Sequence, residues 1–492
     1  MPRYYIEKWS VMIGWIVFGV IVAVVVVFFG ILLIRACLFR PLERTAPVIT
    51  EAVVDRERIA DHLAQMIRCK TVSNLNPALV DEAEFEKFRQ LLKDLYPTIQ
   101  QHCSFERIGP SGVLFTLRGK SNAAPVVLMS HYDVVPADEE AWEKPAFEGI
   151  LEDGVLWGRG TLDTKGTLCA IMEATEALLA EGFVPQNDLY LAFSGDEEIS
   201  GASAPAMVDE FERRGIRPAM VLDEGGAVVR GMFPGVAEPC ALIGIAEKGM
   251  LHMEMTIEGK GGHASVPPPH TPVGLLAQAV VRIENKPFKA RLTKAVAEMF
   301  DTLGRHSTLA YRLIFANLWC FKPVLDAICR KSGGEMNAMM RTTCAFTMME
   351  GSKATNVLPP RARMGANIRL IGGDTTDSAI EYLRRVADSP AVNIQKIYGV
   401  NPSPDSRTEG QKWELLKSAI SQTWPEALIS PYLMFACTDS RHYCRISDNV
   451  YRFSAMELSK NERAMLHAHN ERVPIETAVK TVQFYLRLIR GC

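Results

Sequence analysis

The chain has 492 residues, 48% apolar and 23% charged, with a formal net charge of −3; this is an ordinary globular balance and long enough for two domains with full cores. Its basic residues are scattered, so there is no electrostatic footprint for nucleic acid. The eleven cysteines form no Cys-x-x-Cys pair, so they read as free thiols packed as small hydrophobes, and any metal falls to His and carboxylate ligands.

Residues 11–34 run for 24 positions without a charge. At about 1.5 Å rise per residue this exceeds the roughly 30 Å hydrocarbon core of a bilayer, so the pattern predicts a single-pass membrane anchor in contact with lipid. A cleavable signal peptide has a shorter apolar run ending in small residues, whereas this one ends in Ile34-Arg35-Ala36-Cys37-Leu38-Phe39-Arg40. The competing reading, a soluble secreted protein, requires cleavage there. Basic residues on the two sides nearly balance, which leaves the side of the membrane open.

Residues 35–50 read as a linker. Helical spacing of Val54, Ile59, Leu63 and Ile67, then an amphipathic helix over 82–95, open a first part of an α/β domain spanning 51–248. Apolar runs at 113–117, 126–129, 189–193 and 220–222 read as buried strands alternating with helices such as 167–181, ended by Gly182. The pattern predicts a mostly parallel central sheet with helices on both faces. From Gly249 the texture changes to alternation at Leu251, Met253, Met255 and Ile257, a helix at 272–284, an apolar Met-rich stretch at 292–340, and renewed alternation at 343–349 and 362–370. An inserted α+β unit is therefore expected over 249–370, with the larger domain resuming over 371–492.

Chemistry-bearing residues follow the strands. His131 and Asp133 stand two apart after one, so their side chains point the same way in extended geometry, the arrangement of a metal-binding imidazole oriented by a carboxylate. Asp163 lies among Gly158, Gly160 and Gly166 before a helix, where capping alone would account for it. Glu197 and Glu198 diverge in an extended loop, so one can ligate a metal while its neighbour serves as base. Separately each has a plain explanation. Together, at separations of 32 and 34 residues, with Asp223-Glu224 beyond, they fall at the carboxyl ends of strands in an open α/β sheet.

Four segments resemble the signatures of the dinuclear-zinc aminoacylase and carboxypeptidase family: Ser130-His131-Tyr132-Asp133-Val134-Val135-Pro136, Gly158 to Gly166, Gly195-Asp196-Glu197-Glu198-Ile199-Ser200-Gly201, and Leu466-His467-Ala468-His469-Asn470-Glu471-Arg472-Val473. The membrane start and enlarged insert resemble its carboxypeptidase S and N-fatty-acyl-amino-acid synthase/hydrolase branch. The resemblance implies two Zn2+ ions per active site: His131 on one, Asp163 bridging, Glu198 and His467 as further ligands, and one of Asp223 and Glu224, with Asp223 preferred. It implies Glu197 as general base, Asp133 orienting His131, and His467 rather than His469 as ligand. In the insert, Gly261-Gly262-His263-Ala264-Ser265 resembles the segment whose His stabilises the oxyanion across a homodimer, and Asn356 and Arg369 resemble substrate-binding groups, with Arg369 suited to a free carboxylate. Arg441 resembles a further substrate-side residue.

The expected activity is hydrolysis of an amide or peptide bond beside an amino-acid carboxylate, on a small-molecule or short-peptide substrate. The apolar stretch 292–340 reads equally as packed helices or as a pocket for a hydrophobic N-acyl group. A membrane-tethered binding protein that lost catalysis is the alternative; it should lack one of His131, Asp163, Glu197, Glu198 or His467, and all are present.

Overall fold

In a computed structural model, residues 2–42 and 46–492 are described, and the linker stretch 43–45 lies outside the described residues. Helix α1 (Pro2–Leu38) contains the apolar run, and from Met12 it is the one helix among the described residues long and apolar enough to cross a membrane. Helices α2 (Arg56–Ile67), α3 (Glu82–Leu95) and α4 (Pro97–His102) follow. Asp55 and Asp81 cap α2 and α3 by accepting the backbone N–H groups of Arg58 and Ala83.

The larger domain continues through β1 (Cys103–Ile108), β2 (Gly112–Leu117), β3 (Ser121–His131), the short β4 (Ile150–Glu152) and β5 (Val155–Trp157), α5 (Lys165–Ala180), β6 (Asn187–Ser194), α6 (Ser203–Arg213), β7 (Met220–Val229) and β8 (Cys240–Glu247). Then come β9 (Gly249–Glu258), β10 (Gly262–His263), α7 (Pro272–Asn285), α8 (Lys294–His306), α9 (Leu309–Phe315), α10 (Leu318–Ser332), α11 (Gly334–Met340), β11 (Thr343–Glu350), β12 (Val357–Leu358), β13 (Arg361–Leu370), α12 (Thr376–Ala387) and β14 (Asn393–Val400). The chain closes with α13 (Gln411–Thr423), β15 (Leu428–Met434), β16 (Val450–Leu458), α14 (Lys460–Arg463), β17 (Arg472–Pro474) and α15 (Ile475–Arg490).

Eight strands form the large sheet in the order β1-β2-β6-β3-β7-β16-β8-β15. The central run β6-β3-β7-β16 is parallel, as is β8-β15. The pairs β1-β2, β2-β6 and β7-β8 are antiparallel, so the sheet is mixed rather than mostly parallel. The edge follows from chain economy: the three residues between β1 and β2 permit only a hairpin, which is antiparallel. Helices cover both faces. Val126 and Leu128 point into the core shared with α5 and α15, while Val127 and Met129 meet Met207, Val208 and Phe211 of α6. Burial on both faces explains why these strands read as unbroken apolar runs, and each buried Val or Leu contributes about 1.5–3 kcal/mol.

The second sheet, β11-β13-β9-β14, is wholly antiparallel. Helices α7 and α12 share its core. The expected boundary at residue 370 falls inside this unit, because β9 takes a partner on each side and the second is β14, from Asn393↔Thr256 to Val400↔Met250. The stretch 292–340, expected within the inserted unit, instead joins the large domain, and of its two readings the packed helices hold. Met299, Phe300 and Leu303 of α8 and Phe315 of α9 are buried in the core of the large domain, where they fill space rather than line an acyl pocket.

Candidate metal centre

Three neighbouring strands deliver the first groups. β3 ends on His131, β6 ends just before a 3₁₀ turn at Glu197–Ile199, and β7 carries Asp223 and Glu224 on the other side of β3. His131 is buried. Its Nδ1 lies 3.0 Å from the Asp133 carbonyl oxygen and 3.4 Å from Asp133 Oδ1, and its Nε2 lies 3.1 Å from Asp163 Oδ1 and 3.3 Å from Glu224 Oε1. With Nδ1–H donated to Asp133, the Nε2 lone pair is free to face a cation. The Asp133 carboxylate also accepts the backbone N–H groups of Glu197 and Glu198, each at 3.1 Å. The two glutamates thus diverge from a tight turn rather than from an extended loop.

Asp163 arrives by another route. β5, which precedes it, belongs to a separate three-stranded sheet, β4-β5-β17. Pairing of β17 with β5, from Arg472↔Trp157 to Pro474↔Val155, lays the 467–471 loop beside the Asp163 loop. Asp163 Oδ2 is 3.0 Å from His467 Nε2, and the same nitrogen is 3.2 Å from Glu198 Oε2. One carboxylate therefore faces two imidazoles, one through each oxygen.

Glu471 fastens this junction. Its buried carboxylate accepts from Arg159 Nη1 (2.7 Å) and from the backbone N–H groups of Gly160 (3.0 Å), Leu162 (2.7 Å) and Asp163 (3.1 Å). Arg159 Nη2 in turn donates to the Ala468 carbonyl at 3.0 Å.

Asp223, preferred from the sequence as the remaining ligand, turns elsewhere. Its two oxygens accept the backbone N–H groups of Glu224 (2.9 Å) and Ser440 (3.0 Å), while Glu224 points at His131. Ligand atoms of His131, Asp163 and Glu198 lie within 4.8 Å of one another, as do those of His131, Glu197 and Glu224. Among the described residues Glu198 Oε1 is buried without a hydrogen-bond partner, an orphan that a cation would satisfy. A set of imidazoles and carboxylates without thiolate suits zinc or a similar divalent ion.

The electrostatics agree. Burial, reinforced by the charges of Asp439, Glu224 and Asp133 against the pull of His131, holds Glu197 well above the usual carboxylate range. Burial and the Asp163 charge push Glu224 up to about 8. Burial would raise Asp163 as well, yet hydrogen bonds from His131 and His467 hold it below its usual value. Carboxylates crowded in this way repel one another, and a divalent cation is the counter-charge that relieves them.

Two guanidinium groups converge on Cys437. Arg369 Nη1 lies 3.8 Å from Cys437 Sγ, and burial raises that thiol while Arg441 and Arg369 act against the shift. Arg441 Nε is buried with no hydrogen-bond partner among the described residues. The segments that carry His263 and Asn356 run side by side: His263 pairs with Val357 across β10 and β12, and Ala264 N donates to the Asn356 carbonyl. His263 is exposed, its Nδ1 accepting from Ser265 Oγ at 2.7 Å. No hydrogen bond or ion pair among the described residues links either residue to the carboxylates.

The profile of Peptidase family M20/M25/M40 matches residues 127–491, well over half of the chain. The chain belongs to the M20 peptidase family. M20 members are peptidases and amidohydrolases, hydrolases of amide or peptide bonds. This M20 chain is 35% identical over 441 residues to the probable carboxypeptidase S-like 2 of Dictyostelium discoideum, spanning 88% of this chain and 85% of that protein. It is 32% identical over 497 residues to the N-fatty-acyl-amino acid synthase/hydrolase PM20D1 of Xenopus tropicalis, spanning 99% and 96%. The M20 metallo-carboxypeptidase Sso-CP2 of Sulfolobus solfataricus shares the fold, with a TM-score of 0.60 at 17% identity over 88% of this chain and 98% of that one.

Some groups of this M20 site were missed in the sequence. Glu471 stands in the Leu466–Val473 segment without an assigned role, although its partner Arg159 lies in the Gly158 to Gly166 segment. Glu247 and Arg452 gave no signal, since they meet only across the folded sheet. Glu247 Oε1 accepts from Arg452 Nε and Thr438 Oγ1, both at 2.7 Å, and Oε2 from Thr438 N. This buried ion pair holds the loop that carries Ser440 and Arg441.

Proposed function

We propose that this protein is a zinc-dependent hydrolase that cleaves an amide or peptide bond next to a free amino-acid carboxylate. The observation that carries the reading is the Asp163 carboxylate, one oxygen on His131 and the other on His467. His131, Asp163 and Glu224 would hold one ion; Asp163, His467 and Glu198 would hold the other. When bound, zinc supplies Lewis acidity at the scissile carbonyl and lowers the pKa of water toward about 7. Glu197 takes the proton of the attacking water and returns it to the leaving amine, the role for which its raised affinity for protons suits it. Asp133 keeps His131 aimed and fixes the turn that separates Glu197 from Glu198. Arg369 and Arg441 receive the substrate carboxylate, for which guanidinium geometry is matched. Asn356 adds a substrate contact, and His263 comes from the second subunit of a homodimer to hold the developing oxyanion.

The names of the two relatives favour substrates that end in an amino-acid carboxylate, one carrying a fatty-acyl group. A retained α1 fits an apolar acyl substrate. Its retention is supported by Leu32 and Ala36, which are buried against the body of the protein and would be stripped from it by cleavage. No observation favours the inactive binding protein. The test is a metal-dependent hydrolysis screen that compares N-acetyl and N-long-chain-acyl amino acids with dipeptides. Turnover of the long-chain substrates is expected; a clear preference for acetyl excludes the lipid substrate, and no metal-dependent turnover of any of them excludes the assigned reaction.

A further inference from the structure

We propose that α9 and α10 form a lipid-facing shelf, so that the body of the protein lies against the bilayer instead of hanging from α1 on a linker. The body grips α1 within its apolar run. Phe28 meets Trp319 edge-to-face with ring centroids 6.0 Å apart. Arg35 donates from Nη2 to the Ala316 carbonyl at 2.9 Å and from Nε to Asn317 Oδ1 at 3.0 Å. Asn317, fully buried, donates from Nδ2 to the carbonyls of Leu32 (3.1 Å) and Leu313 (2.9 Å). The Arg35 charge is thus met by the carbonyl end of α9 and the Asn317 oxygen, and the Asn317 Nδ2 group is satisfied by backbone carbonyls, as a setting poor in water requires.

The depth of this grip decides the geometry. Phe28 precedes Ile34, the last residue of the apolar run, by six positions, about 9 Å along a helix axis. With that run in hydrocarbon, Trp319 sits at or below the boundary between headgroups and acyl chains, where Trp is favoured.

The outer surface of α10 matches such a place. Trp319, Pro323, Val324 and Ala327 are all exposed and share one face of α10 at helical spacing. Lys322, also exposed, flanks the face, and exposed Arg330 and Lys331 continue it at the C-terminal end of α10; their ammonium and guanidinium heads can extend to lipid phosphates. An apolar stripe with basic flanks lies in the interfacial plane of a bilayer, and its continuity with α1 makes lipid, rather than a second protein, the occupant.

The test is photolabelling of the full-length protein in vesicles of phosphatidylcholine and phosphatidylserine doped with a diazirine-acyl phospholipid, with labelled peptides mapped by mass spectrometry. Label is expected in 309–327 as well as in α1, several-fold above that in the exposed residues of β14. The double substitution Val324→Asp with Ala327→Asp should abolish the α10 label and leave that of α1. Label confined to α1, label in neither helix, α10 cross-linked to a second chain in place of lipid, or an α10 label indifferent to the double substitution would each overturn the shelf. The wild-type map alone is decisive if the variant misfolds, and the readout does not depend on hydrolysis.

Discussion

Asp163, Glu197 and Glu224 carry most of what can be tested one side chain at a time. Glu197→Gln keeps the size of the side chain but not its capacity to take a proton, so kcat should fall about 10²–10⁴-fold while bound metal, counted by inductively coupled plasma mass spectrometry, stays at the wild-type level. Glu224 and Asp223 are separated by the same count: Glu224→Ala should cost an ion, whereas Asp223→Asn should keep both and lower stability, since Asp223 serves two backbone N–H groups. The reverse pattern would restore Asp223 as the ligand. The sequence showed that this pair mattered but not which member turned inward. Adjacent strand residues point to opposite faces, and the choice depends on where β7 leaves β3 to pair with β16 and β8, a register that no local pattern encodes.

At the scale of elements, the site is a junction between two sheets. His131, Glu197 and Glu198 were legible because long apolar strands announce their own ends. The three-residue strands β4, β5 and β17 were not, being too short for any alternation to register, and yet they bring His467 to Asp163. Glu471 locks that junction. Glu471→Ala leaves Arg159 buried and unpaired, and should destabilise the protein by about 3–5 kcal/mol in denaturant unfolding; a wild-type midpoint would show that the junction is held by other contacts. The smaller sheet offers a parallel case. Its strand β14 was absent from the reading because exposed positions dominate it, with Ile394 as its buried contact to the core. Ile394→Ala should cost about 2–5 kcal/mol, and a neutral outcome would mean that β14 is a loose edge rather than part of the second unit.

At the scale of the whole molecule, the sequence made the apolar N-terminal helix plain, while its seat on α9 and α10 arises only from packing. The exposed His263, unconnected to the carboxylates among the described residues, tests the proposed homodimer. If it acts across a homodimer, His263→Ala and Glu197→Gln should each be nearly inactive alone, and co-expression of the two should restore roughly a quarter of wild-type turnover, because half the dimers are mixed and one of their two sites is intact. No recovery would confine catalysis to one chain. The metal centre itself is tested most directly by stripping the full-length protein with a chelator and titrating zinc back while following hydrolysis of an N-acyl amino acid. Turnover should vanish on stripping and return as two ions bind per chain; hydrolysis undiminished in the metal-free protein would contradict a zinc centre built on Asp163.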